Sequence, residues 1–365
     1  MMKNSARQSS PIRSTRRQRG LWTGATCRVV LYGAAAVTVG ILSLNAQARA
    51  ETPPHITLVP PPVNVYGETT HTQHVSIAGD QTDGPGTLNW QLGSGDPLRT
   101  IARGQSQLQL ADGRAETDIV LSVPPVKPGI AVKLTLRLEL TTAASRKPDA
   151  AASHDFWVFP PGAFDQDTTW LESLHLKLYD PDGKTETALK TQNMPIETLR
   201  TLDSLGEPAG MLVTGAELAM TTSRSTALLA QARRGWTVLI IEPGAGRLVP
   251  PLPGQTGNTE GAVQWRCRSN DIIRELDKRL DATFGADDGA RAILAAQRAT
   301  IVFEFEQAPA DGWPWVEIDV GDKGGKLILC GFPIVSAWET GPTARYLLRA
   351  IFASYQPNHQ TPETE

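Results

Sequence analysis

The sequence predicts a multidomain chain: an N-terminal all-β sandwich followed by a C-terminal α/β doubly wound domain. Three observations carry this reading. Residues 63–160 contain short runs that alternate apolar and polar side chains between Gly- and Pro-rich turns, the pattern of half-buried strands. Residues 161–355 alternate apolar runs with amphipathic stretches, which favours a sheet covered by helices. At the centre of that second part lies STALLAQARRGWTVLIIEPGAG, residues 225–246. Its first half places Leu228, Leu229 and Ala232 at helical spacing and ends in Arg233, Arg234 and Gly235. Basic residues suit the negative end of a helix dipole, and glycine supplies a left-handed cap. Its second half, Trp236 to Ile241, is a nearly continuous apolar run, which predicts a strand buried on both faces. Glu242-Pro243-Gly244-Ala245-Gly246 then turns the chain sharply.

Residues 1–50 are expected to be an address and not a fold. They carry eight Lys/Arg (Lys3, Arg7, Arg13, Arg16, Arg17, Arg19, Arg28, Arg49) and no Asp or Glu. An apolar segment from Val29 to Leu44 precedes Ala48-Arg49-Ala50, an A-x-A cleavage pattern, so a secretory signal peptide is predicted. Its apolar run is shorter than the roughly 20 residues of a spanning helix. Membrane contact is therefore expected only through an uncleaved signal segment, and the location is periplasmic or extracellular. Removing eight of the 35 Lys/Arg leaves 27 against 38 Asp/Glu, a formal charge of −11. An acidic chain without basic runs is a poor ligand for nucleic acid or anionic lipid. Only Cys267 and Cys330 then remain, and Cys330 sits in an apolar run where a buried thiol is expected.

In chain order, residues 51–62 form a Pro-rich leader, ETPPHITLVPPP, expected to be extended and peripheral. The sandwich follows, with Lys133 to Leu140 as its clearest strand, four Leu facing one way. An Ig-like sandwich fits short strands at this spacing, without a cysteine staple. His71 and His74 lie three apart, so on a strand they face opposite ways and no metal site is expected. In the second part, strands are expected at Leu174–Tyr179, Gly210–Gly215, Trp236–Ile241, Thr300–Phe305, Val316–Val320 and Lys326–Cys330. Helices are expected at Thr185–Lys190, Asn270–Leu280, Ala290–Gln297 and Thr343–Tyr355. That alternation predicts a doubly wound, flavodoxin-like domain over residues 161–355, closed by a polar tail at residues 356–365.

The helix, Gly, apolar strand and turn of residues 225–246 resemble the nucleophile elbow of class I glutamine amidotransferase-like domains. In that alignment Glu242 stands at the Cys position. After the later strand Lys326–Cys330, Gly331-Phe332-Pro333-Ile334 places Phe332 at the His position and Ile334 at the Glu position. The resemblance implies a retained scaffold with a lost triad, and amidotransfer is not expected. The sandwich, with Asn89-Trp90-Gln91-Leu92 and the final run Phe156-Trp157-Val158-Phe159, is similar to sandwiches preceding such domains in some bacterial glycoside hydrolase family 2 proteins. The (β/α)8 barrel of those enzymes, about 250 residues, has no room beside the two assigned segments.

Two groups of residues are candidates for chemistry. Asp180, Glu217 and Glu242 each follow an expected strand at its C-terminal end, so neighbouring strands would bring two or three carboxylates together for acid–base work. Trp313, Trp315 and Trp338 lie in or beside loops near carboxylates, a combination suited to stacking on sugars. Cys267 lies between Arg266 and Arg268, which could activate a thiol, but no His accompanies it. No cofactor is expected. The expected function is a non-catalytic, exported accessory or scaffold module of the cell envelope, carbohydrate-associated as the glycoside-hydrolase resemblance implies. The expected partner is a polysaccharide or an envelope protein. Two other classes stay open: a hydrolase using the carboxylate cluster, and a protein–protein assembly module.

Overall fold

Alternation with a period of two builds eight strands in the first part of the chain. They are β1 (His55–Val59), β2 (Val65–Tyr66), β3 (Thr70–Ala78), β4 (Gly84–Ser94), β5 (Arg99–Leu110), β6 (Arg114–Ser122), β7 (Val132–Thr142) and β8 (Ala150–Phe159). The structure is a computed structural model describing residues 53–60, 64–79, 83–143, 147–165, 168–251, 263–297, 300–307, 312–320 and 323–356. The signal-peptide expectation for residues 1–50 and all but the first residue of the polar tail lie outside the described residues. β1, β3 and β6 form one antiparallel sheet, and a second has the order β2-β8-β7-β4-β5. Leu134, Leu136, Leu138 and Leu140 of β7 all point inward and meet Val75, Ile77, Ile119 and Leu121 from the opposite sheet in one core. The Pro-rich leader contributes to this sandwich: β1 pairs with β3, and Ile56 and Leu58 are buried.

The second part contains α1 (Thr168–Ser173), β9 (Lys177–Tyr179), α2 (Lys184–Lys190), β10 (Glu197–Leu199) and a 3-10 turn at Leu202–Ser204. Next come β11 (Met211–Thr214), β12 (Ala219–Met220), α3 (Thr222–Arg234), β13 (Thr237–Ile241), β14 (Gly244–Leu248) and β15 (Gln264–Arg268). The chain ends with α4 (Asp271–Leu276), β16 (Ala290–Gln297), β17 (Thr300–Gln307), β18 (Trp315–Val320), β19 (Gly325–Cys330) and α5 (Pro342–Tyr355). A seven-stranded mixed sheet has the order β10-β9-β11-β13-β19-β18-β15, and its last two strands run antiparallel to their neighbours. β13 is buried on both faces, as its composition requires. Leu239 and Ile241 enter the core shared with α2, α4 and α5, while Val238 and Ile240 enter the core shared with α3. A separate four-stranded sheet, β12-β14-β17-β16, contributes Leu248, Ala292, Phe303 and Phe305 to that second core.

The α/β doubly wound, flavodoxin-like domain expected for residues 161–355 is therefore corrected. Across the described residues, nineteen strands stand against five α-helices, and the face of the mixed sheet that carries α3 also packs against a second, four-stranded sheet. Two segments account for the difference. Ala290–Gln297, expected as a helix, is strand β16, paired along its whole length with β17. Gly244, Ala245 and Gly246, expected as part of a turn, begin strand β14, which pairs with β17 through Gly246 to Leu248. A short Ala-rich apolar run carries no period that separates helix from strand, and pairing with a strongly β-forming neighbour (Thr300–Gln307) decides it. The amidotransferase-like resemblance falls with the doubly wound architecture it implied.

Candidate functional site

β9, β11 and β13 are adjacent and parallel, so the residues that leave them gather at one edge of the sheet. Asp180, Glu217 and Glu242 are brought to this edge, each in a different setting.

Glu242 follows β13 in a left-handed conformation, φ 43°. Its N–H donates to the Cys330 carbonyl at 2.7 Å, and its own carbonyl accepts the Glu217 N–H at 2.7 Å. The backbone at this point thus ties together the ends of β13, β19 and the loop after β11. Its side chain is 5% exposed. One carboxylate oxygen accepts the N–H groups of Val335 and Ser336, the latter at 3.1 Å, and the other accepts the Ser336 hydroxyl. Burial pushes the Glu242 carboxyl above the usual carboxylate range; the Ser336 and Val335 bonds oppose that shift and the nearby Glu217 charge adds to it.

Asp180 is buried, and its Oδ2 accepts the Glu186 N–H at 2.9 Å, satisfying a donor in the first turn of α2. Gly215, beyond the end of β11, is what lets it sit there, because a Cβ at that position would lie 2.3 Å from Asp180 Oδ1. Thr185 completes the junction by accepting the Ala216 N–H at 2.8 Å. Glu217 is exposed, also left-handed at φ 57°, and forms an ion pair with Lys184. That hydrogen bond and charge raise the Lys184 pKa. A cleft of ≈ 560 Å³ opens here, lined by Asp182, Lys184, Thr187, Glu217, Val335 and Ser336. Asp180 and Glu242 are buried and do not line it.

The tryptophans occupy different surroundings. Trp315 is fully buried, donates to Glu317 Oε1 at 2.9 Å and stacks on Phe332 with ring centroids 6.4 Å apart. Trp338 is 3% exposed, with its indole N–H on Thr191 Oγ1 at 3.3 Å and the Arg345 guanidinium 5.4 Å from its ring. Trp313 is half-buried, pairs through its backbone with Ala292 and packs against the core beside α3. Neither Trp315 nor Trp338 presents an open face to a sugar, because each completes the core against which it packs.

Cys267 and Cys330 are both free thiols. Burial pushes the Cys267 thiol up, so the flanking arginines do not activate it. Among the described residues no cluster of three or more His, Cys, Asp or Glu is arranged to hold a metal ion. No described helix is long and apolar enough to cross a membrane. Sequence reasoning missed Lys184 and Ser336. Ser336 was legible only as a polar residue in an otherwise apolar exit from β19, and its link to Glu242 spans 94 positions.

No family model matches the chain, and no curated protein matches it. Among solved structures, a conjugative transposon lipoprotein from Bacteroides eggerthii is similar at 13% identity and a TM-score of 0.19, over 28% of this chain and 96% of that one. A β-glucuronidase from Bifidobacterium dentium is similar at 10% identity and a TM-score of 0.22, over 56% of this chain and 39% of that one. A glycosyl hydrolase family 2 member from Bacteroides cellulosilyticus is similar at 12% identity and a TM-score of 0.23, over 51% of this chain and 25% of that one. This chain thus spans well under half the length of both hydrolases. At these scores the likenesses carry no argument about function.

Proposed function

We propose that this protein is an exported, non-catalytic accessory module of the cell envelope, associated with carbohydrate. The observation that carries the non-catalytic part of the reading is the state of Glu242. Its carboxylate is buried, accepts three hydrogen bonds from Val335 and Ser336, and does not line the cleft, so it serves to hold two strand exits together. Asp180 is likewise committed to the start of α2, and Glu217 to Lys184. Hydrolysis by paired carboxylates needs one group to give a proton and the other to attack or activate water, both facing the substrate. Export is supported by the charge pattern of residues 1–50, with eight cations, no anions, an apolar run and an A-x-A site.

Calorimetry on the purified protein with soluble polysaccharides and oligosaccharides, followed by product analysis of each mixture, tests this. Binding without cleavage is the expected result. Cleavage that vanishes in Glu242→Gln would replace the reading with a hydrolase. Silence in both assays would leave protein–protein assembly in its place.

A further inference from the structure

The outer face of the sandwich's five-stranded sheet carries a group of amide and hydroxyl side chains where β4, β5 and β7 lie side by side. Register places Thr87 of β4 between Gln107 of β5 and Thr141 of β7, and Asn89 between Gln105 and Glu139. Gln105, Gln107 and Gln109 alternate along β5 and all point to this face, away from the buried Leu108 and Leu110. The result is a row of amides and hydroxyls, with Arg103, Arg137 and Glu139 farther along the same face.

A groove of ≈ 300 Å³ runs through this face, lined by Pro85, Thr87, Asn89, Gln107, Thr141 and their neighbours, with no charged residue among the described residues of its wall. Its volume sits near the lower end of ligand sites, which run from roughly 300 to 1,000 Å³. One rim is fixed in advance. Asp149 accepts the Thr142 N–H at 2.7 Å and its hydroxyl at 2.8 Å, and the Ala143 N–H donates to the Pro85 carbonyl at 3.2 Å. Within the groove wall Thr87, Gln107 and Thr142 are hydrogen-bonded, while Asn89 is open to a ligand, as are Gln105 and Gln109 on the same face beside the wall. Thr87 donates to Gln107 Oε1 at 3.2 Å, while Asn89, Gln105 and Gln109 make no side-chain hydrogen bond among the described residues. Two formal charges flank the groove outside its described wall, Glu139 beside Asn89 and Asp149 bonded to Thr142.

We infer that this groove is a binding site for a short segment of a neutral, hydroxyl-rich glycan. Each amide offers donors and an acceptor side by side, matching vicinal hydroxyls that are themselves donor and acceptor. The Pro85 ring gives an apolar surface at one end for the C–H face of a sugar ring. The described wall offers no cation to a phosphorylated or uronic-acid ligand, and its amides and hydroxyls suit a neutral one. The cleft beside Glu217 differs, since Asp182, Lys184 and Glu217 place three charges in its wall. The inference rests on the carbohydrate-associated reading and gives it a place and a ligand class.

The test is calorimetry of the purified full chain with neutral hexasaccharides (β-1,4-glucan, β-1,4-mannan and α-1,4-glucan) and with polygalacturonate as the acidic control. At least one neutral hexasaccharide should bind, and the Asn89→Ala/Gln107→Ala double variant should weaken that binding at least ten-fold. Far-UV circular dichroism and Tm should stay unchanged, because neither side chain is buried. Gln107→Glu, which keeps size and removes the amide donor, should also weaken binding. Undiminished binding in both variants would overturn the groove and leave the carbohydrate reading intact. Binding of polygalacturonate alone would overturn the neutral-ligand inference and leave that reading intact. No binding of any saccharide would end both.

Discussion

Glu242 shows how one side chain can hold a sheet edge at a cost that depends on pH. Its carboxyl is buried and titrates higher in the folded chain than in the unfolded one, burial outweighing its three donors. The folded state therefore binds more protons than the unfolded state between the ordinary carboxylate pKa of 4.5 and the raised value. Stability linked to this group is fully present below the ordinary value and is lost as pH rises through the raised one. Glu242→Gln cannot titrate and keeps one oxygen to accept from Val335 and Ser336. The stability advantage of the native chain over Glu242→Gln should shrink as pH rises from 4.5 toward 8, measured by urea unfolding at a series of pH values. An advantage that grows with pH would mean that the donors hold the anion more strongly than burial opposes it.

Helix α3 and strand β13 were legible in the sequence because each carries local signals that agree. Thr221 caps α3 by accepting the Arg224 N–H at 3.3 Å, and Gly235 closes it at φ 110° with its N–H on the Ala232 carbonyl at 2.9 Å. A Cβ on Gly235 would meet nothing closer than 3.4 Å, so its cost would be conformational. Gly235→Ala should destabilise the protein by about 1 kcal/mol, read as a lower urea midpoint at unchanged slope. A neutral effect would show that the backbone there relaxes to negative φ. The alternation of the sandwich was legible for the same reason, since Leu134 to Leu140 points the same way locally and in the fold. β16 was not. Its eight residues, ARAILAAQ, favour a helix locally, and only pairing with β17 makes them a strand. The site was legible in part: strand exits pointed to Asp180, Glu217 and Glu242. Their partners Glu186, Lys184 and Ser336 depend on contacts between loops, which no local pattern records.

At the scale of the molecule, the end of the sandwich is buried in the core of the mixed sheet, and the two parts should unfold together. Phe159, the last residue of β8, is fully buried among residues of the second part, with its ring 4.4 Å from that of Tyr346 on α5. The Tyr346 hydroxyl donates to the Pro160 carbonyl at 3.0 Å, and burial pushes its pKa well above the ordinary value. Asn64 and Tyr66 reach across as well, donating to the carbonyls of Arg279 at 2.9 Å and Gly341 at 3.2 Å. Arg345 lies 5.5 Å from the Tyr66 ring. Flexible linkage between the two parts would leave these polar groups to water. Here they are satisfied only when both parts are folded, and the aromatic contact adds apolar burial that neither part completes alone. Calorimetry should therefore show a single unfolding transition in the native chain. Phe159→Ala should cost about 3–5 kcal/mol, as expected for truncating a fully buried aromatic residue. It should also lower or split the transition, because the residue supports both sides of the junction. Two well-separated transitions in the unaltered protein would show that the junction contributes little and that each part is stable by itself.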